Sequence, residues 1–130
     1  MRDLYKPTIR TCFMLLPLIV GVWVYSRERA GKTLYEEWLH INKSAVTRLP
    51  LSNWLPDYLW CLSLLAGLAL LWKGWHKIPG AWKITIWVLV CSTELLQYLH
   101  LIPGTGDMMD FLFYQAAFVS VILLNKTNIL

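Results

Sequence analysis

Apolar residues along this chain fall into four long runs separated by short charged stretches. Thr11 to Ser26 holds no charged residue, nor does Tyr58 to Trp72, nor Phe111 to Asn125. A fourth run, Trp82 to Leu101, is interrupted only by Lys83 near its start and Glu94 inside it. With polar and aromatic ends included, each run approaches the ~20 residues a helix needs to cross ~30 Å of hydrocarbon. The pattern predicts an all-α polytopic membrane protein, one membrane domain over 1–130, with transmembrane helices near 9–26, 54–73, 82–101 and 108–125. A water-soluble four-helix bundle would need a charged stripe along each helix, and no run carries one.

The one long connection, 27–53, has a pattern of its own. Leu34, Tyr35, Trp38, Leu39, Ile41, Ala45 and Val46 cluster on one face at helical spacing, leaving Glu36, Glu37 and Lys43 to face water. A short helix near 33–46, lying on the membrane surface, is expected. Aromatic residues mark the ends of the spans. Trp23, Tyr25, Trp54 and Tyr58 belong to one interface and Trp72, Trp75 and Trp82 to the other, because amphipathic rings prefer headgroup depth. The first run has a basic front but no small-x-small site before Ser26-Arg27-Glu28-Arg29, so it reads as a retained helix rather than a cleaved leader. Pro17 inside it is of a kind that lipid-embedded helices tolerate, with an expected kink.

Composition sharpens this picture. Of 130 residues, 57% are hydrophobic and only 15% charged, against about a quarter charged in a soluble domain. That excludes a disordered or collagen-like chain, and an ordinary soluble globule of this size has too little interior to hide so much apolar surface. The net charge of +4 lies between the apolar runs, so it reads as membrane-flanking and not as a nucleic-acid surface. Arg2, Lys6, Arg10, Lys73, Lys77, Lys83 and Lys126 share one side of a four-span layout; Arg27, Arg29, Lys32, Lys43 and Arg48 share the other. The bias places both termini in the cytoplasm of a bacterial inner membrane. Cys12, Cys61 and Cys91 are an odd number without metal-ligand spacing, and each reads as a small buried hydrophobe.

The polar residues inside the runs carry what chemistry there is. Glu94 is the most informative, since an ionisable group in a span costs roughly 2.5–3.5 kcal/mol on insertion scales unless it is paired or wetted. Gln97 lies at i+3 on the same face, and His100 continues toward the membrane edge. Asp107 suits a cap for the fourth helix; Asp110 is already inside the apolar run and shares a face with Tyr114 at i+4. Asp57 opens the second span after Pro56. In the four-span layout Asp57, Gln97, His100, Asp107 and Asp110 lie toward one surface with Glu94 below them, which predicts a small acidic cavity on the side opposite the termini. Neighbouring carboxyls in an apolar setting serve acid/base work. The alternative is interhelical hydrogen bonding that holds a bundle together. No metal or other cofactor is expected. Ser92 and Thr93 read as bonding their own helix backbone rather than as nucleophiles, so no catalytic set is named. Ser63/Gly67 and Ala116/Ser120 are small-xxx-small pairs expected to form packing seams.

The run Glu94-Leu95-Leu96-Gln97, followed by the turn 103–107 and then Asp110, resembles the VanZ-like family of small bacterial membrane proteins. Leu55-Pro56-Asp57-Tyr58-Leu59-Trp60 resembles the start of an earlier span in some of its short relatives. The resemblance implies signature positions at Glu94, Gln97, Asp107 and Asp110, with Asp57 as an addition. It also implies an association with glycopeptide resistance of the teicoplanin type. Where many members carry an Arg in the linker, this chain has Gly104-Thr105-Gly106, and His100 is the candidate replacement. The partners implied are the bilayer and a lipid-linked or cell-wall precursor. Read instead as an assembly subunit, the chain would meet a second copy or another membrane protein. A third reading, a small holin-like pore, lacks the full-length polar stripe a water-filled pore needs.

The orientation is open to direct test. With the three native cysteines replaced, a single cysteine in the 104–106 turn is expected to react with an impermeant thiol reagent added to intact spheroplasts. Protection until the membrane is opened would reverse the layout.

Overall fold

The computed structural model describes residues 2–28, 53–102 and 106–127, with side chains from residue 5 to residue 27 in the first segment. The expected surface helix at 33–46 and residues 103–105 of the turn lie outside the described residues. Within them the chain is helical and holds no strand. Four helices follow one another: α1 (Arg2–Glu28), α2 (Leu55–Leu71), α3 (Gly80–Tyr98) and α4 (Met108–Lys126), with a 3₁₀ turn at Trp75–Lys77. Two stretches are long and apolar enough to cross a membrane, Tyr5–Arg27 with 23 residues and Met108–Lys126 with 19. α2 is apolar but has 17 residues, a rise of about 26 Å. α3 is diluted by Lys83, Glu94 and Gln97.

The helix ends differ from the sequence boundaries for identifiable reasons. α1 starts earlier than expected and runs unbroken through Pro7 and Pro17. α2 and α3 each stop in a left-handed turn. Lys73 (φ 58°) and His100 (φ 56°) take that conformation. After α2, Lys73 N–H bonds Leu70 O at 3.1 Å and Gly74 N–H bonds Ala69 O at 2.7 Å. After α3, His100 N–H bonds Gln97 O and Leu101 N–H bonds Leu96 O, both at 2.9 Å. This is the Schellman pattern, which satisfies the last carbonyls of a helix. Neither C′ residue is a glycine or an asparagine, so the sequence carries no obvious stop there.

α2 is the centre of the bundle. Leu65, Ala66 and Ala69 are fully buried, as are Ala117 and Val121 of α4. α1 packs along α2 on one side and α4 on the other, whereas α3 touches mainly α4. The α1–α2 seam is narrow because its residues are small. Ser63 Oγ donates to Met14 O. Gly67 faces Met14, and Gly21 faces the Trp60 indole. The Ser63/Gly67 pair therefore lies in a seam as the spacing suggested. Ala116 does not: it is exposed, and the buried positions on α4 are its neighbour Ala117 and Val121. Ser120 still reaches α2, with Tyr58 Oη 3.0 Å from its Oγ. Outward-facing Leu16, Ile19, Ile84, Leu89, Val119 and Leu123 are all exposed, an apolar exterior that suits hydrocarbon and not water.

Aromatic pairs sit at both ends of the bundle. Tyr25 and Trp60 have centroids 5.4 Å apart at one end, where Trp54 also stacks on Phe113 at 6.2 Å. Trp72 and Trp82 are 5.8 Å apart at the other.

A methyl group added to Gly21 would lie 2.8 Å from Trp60 Cδ1 and Nε1, whereas one on Gly67 would lie 3.3 Å from the mobile Met14 Sδ. Gly21→Ala is therefore expected to cost about 1–3 kcal/mol and Gly67→Ala clearly less. Melting of the purified variants in detergent checks the order, and equal losses would contradict this packing.

Candidate functional site

The carboxylates that the sequence placed toward one surface do gather at one end, in two groups rather than one cavity. The first group joins α2 to α4. Tyr114 Oη donates to Asp57 Oδ1 at 3.1 Å, and the Asp57 and Asp110 carboxyls are within hydrogen-bonding reach of each other. α2 and α4 run parallel, so the first turn of each reaches the same depth. Asp110, one turn into α4, then meets Asp57 at the head of α2. A phenol and two carboxyls brought together in this way tie α2 to α4.

The second group lies between α3 and the start of α4. Cys91, Glu94, Leu95 and Tyr98 form one wall of a groove. Gly106, Asp107, Met108 and Phe111 form the other. Its volume is about 470 Å³, inside the roughly 300–1,000 Å³ of small-molecule sites. Glu94 is 9% exposed. The backbone N–H of Asp107 lies near its carboxyl, while Oε2 is buried without a hydrogen-bond partner. An unpartnered buried oxygen is costly, and here it sits in a groove otherwise lined mainly by apolar side chains.

Two features build that groove. Gly106 presses against the end of α3, so that a side chain on it would overlap the backbone N and Cα of Tyr98. Only glycine allows the returning chain to pass so close. Asp107 then caps α4, accepting Met109 N–H on Oδ1 at 3.0 Å. Its Oδ2 accepts the indole N–H of Trp54 at 3.0 Å. These two bonds hold the exposed Asp107 carboxyl below its ordinary value of 3.8, since both favour the charged form.

Two predicted members stand apart. His100 is exposed in the left-handed turn that ends α3 and does not line the groove. Gln97, half-buried, makes no side-chain hydrogen bond among the described residues and does not line it either. The reason is angular: three residues along a helix turn about 300°, and α3 touches a neighbour on only one side. Sequence reasoning missed Gln115. Its Oε1 accepts Trp87 Nε1–H at 2.9 Å and its Nε2 donates to Cys91 Sγ at 3.6 Å, tying α3 to α4. A lone amide inside an apolar run was the signal that would have found it. Ser92 and Thr93 donate to Leu89 O and Val90 O of their own helix. Among the described residues no group of three or more His, Cys, Asp or Glu is arranged to hold a metal ion.

No family model matches the sequence, and neither a curated protein nor a solved structure is found to be similar to it. The functional reading therefore stands on the geometry and on the residues themselves.

Two measurements test this site. Tyr114→Phe leaves Asp57 short of a donor at the α2–α4 contact and is expected to lower stability by about 1–3 kcal/mol, read by thermal melting in detergent. Asp107 works through its charged form. Because its folded value is depressed, its contribution is complete above the ordinary aspartate range and is lost as pH falls through the folded value. The melting difference between the parent and Asp107→Asn should thus be flat above pH ~5 and shrink below pH ~4. A difference that instead grows on acidification would contradict the assignment.

Proposed function

We propose that this chain is a bacterial inner-membrane protein of VanZ-like type, crossing the membrane four times with both termini in the cytoplasm. Its groove between α3 and α4 opens toward the envelope and binds a lipid-linked or cell-wall component. The single observation that carries the reading is Glu94, which lines an apolar groove of about 470 Å³ and whose Oε2 is buried without a hydrogen-bond partner. A carboxylate in such a place is matched by a ligand that presents a cationic or hydrogen-bond-donating group beside hydrocarbon. Leu95, Met108 and Phe111 offer the hydrocarbon contact. The Glu94-to-Gln97 run and Asp110, which carry the resemblance to the VanZ-like family, support the same assignment. Two helices long and apolar enough to cross a membrane support the localisation. The excess of Lys and Arg on the side of the termini supports the orientation.

A second reading, a structural subunit whose polar residues lock helices, draws on a different set of residues. Asp57, Asp110 and Tyr114 have partners across α2 and α4, while Glu94 Oε2 has none. The two readings are therefore separable by mutation.

Glu94→Gln is expected to abolish a teicoplanin-resistance phenotype while membrane abundance and melting temperature stay near those of the parent. Tyr114→Phe should do the reverse, lowering melting temperature with the phenotype kept wherever protein remains. Full activity of Glu94→Gln at equal abundance would remove the binding role from the groove.

A further inference from the structure

The end of the bundle opposite the acidic groups holds the second orphaned polar atom of the described residues. Arg10, on α1, is 8% exposed and its Nε has no hydrogen-bond partner. The carboxylates whose side chains are described near the helix ends, Asp57, Glu94, Asp107 and Asp110, all lie at the other end of the bundle. A buried guanidinium N–H without an acceptor is unfavourable, and an anion placed there would supply the acceptor.

The surroundings of Arg10 are shaped for one. Its guanidinium lies over Gly74, the buried residue after the left-handed end of α2. A side chain on Gly74 would come within 3.6 Å of Arg10 Nη2 and 3.4 Å of His76 Nδ1. Two nitrogen-bearing groups thus converge on one point, from α1 and from the 3₁₀ turn, and His76 is exposed and open to solvent or headgroups. Gly74 has φ 146°, so only glycine leaves this space clear without strain. Lys83 Nζ stands 4.9 Å above the ring of buried Trp75, adding an ammonium group from α3. Exposed Lys73 and Lys77 flank the turn. Trp72 and Trp82 pair beside it, at the depth where indoles mark the headgroup layer.

We infer that Arg10, Gly74, His76 and Lys83 form a binding site for the phosphate of an anionic phospholipid headgroup at the membrane surface carrying the termini. The guanidinium and imidazole bind the phosphate oxygens, and Lys73, Lys77 and Lys83 favour a lipid of net negative charge over a zwitterionic one. The site is separate from the Glu94 groove and holds whether or not the groove binds a cell-wall component.

The test uses the full chain, purified in detergent and titrated with short-chain phosphatidylglycerol, short-chain phosphatidylcholine or inorganic phosphate, reading melting temperature. Phosphatidylglycerol is expected to raise it saturably and more than phosphatidylcholine, with inorganic phosphate weaker than either lipid-borne phosphate. Arg10→Gln and His76→Ala should each weaken the phosphatidylglycerol response about tenfold, the loss of one charge-assisted hydrogen bond. His76 is exposed, so His76→Ala keeps the test valid if Arg10→Gln fails to fold. Equal shifts by both lipids, or shifts unchanged in His76→Ala, would overturn the site. A full response to inorganic phosphate alone would overturn the lipid assignment in favour of a soluble phosphate ligand.

Discussion

The close approach of α2 to its two neighbours is the constraint from which the other features follow. At the proposed membrane location apolar surface cannot drive helices together, because lipid tails are as apolar as leucine. What remains is contact at short range, and α2 permits it with Ser63, Ala66, Gly67 and Ala69 on its packed faces. Gly21 of α1 and Ala117 of α4 complete the two seams. With α1 and α4 both held against α2, α3 is left at the edge and leans on α4 through Gln115, Trp87 and Cys91. The groove exists because α3 is held at one side only.

The same arrangement separates charge along the bundle axis. Chain direction alternates, so the heads of α2 and α4 and the tail of α3 meet at one end, bringing Asp57, Glu94, Asp107 and Asp110 there. The tail of α2 and the heads of α1 and α3 meet at the other, with Arg10, Lys73, Lys77 and Lys83. Among the described residues each end holds one buried polar atom without a partner, Glu94 Oε2 and Arg10 Nε. A buried polar atom without a partner regains free energy when a bound group of matching chemistry meets it.

Much of this was legible in the residues, and the limits have physical causes. The four helices follow from run length, and the cap at Asp107 and the Ser63/Gly67 seam follow from local spacing. The stops of α2 and α3 were not legible, because Lys73 and His100 adopt a left-handed conformation without the glycine that usually announces it. Ala116 reads as a seam residue by its spacing to Ser120, yet it faces outward, because a one-residue difference turns a helix face by about 100°. Arg10 reads as one more flanking charge, and only the fold shows that it is covered.

The sequence alone determined that the chain is helical, apolar and charged at its run boundaries, because period, length and the cost of charge in hydrocarbon act residue by residue. It also determined which carboxyls share an end, since that depends only on position along consecutive antiparallel helices. The tertiary structure decided which of them pair and which is left over. Asp57 meets Asp110 and Tyr114, Glu94 keeps a buried oxygen without a partner, and Gln97 and His100 do not line the groove. Those outcomes depend on the rotation of each helix about its own axis, and rotation is set by the shapes of the neighbouring faces.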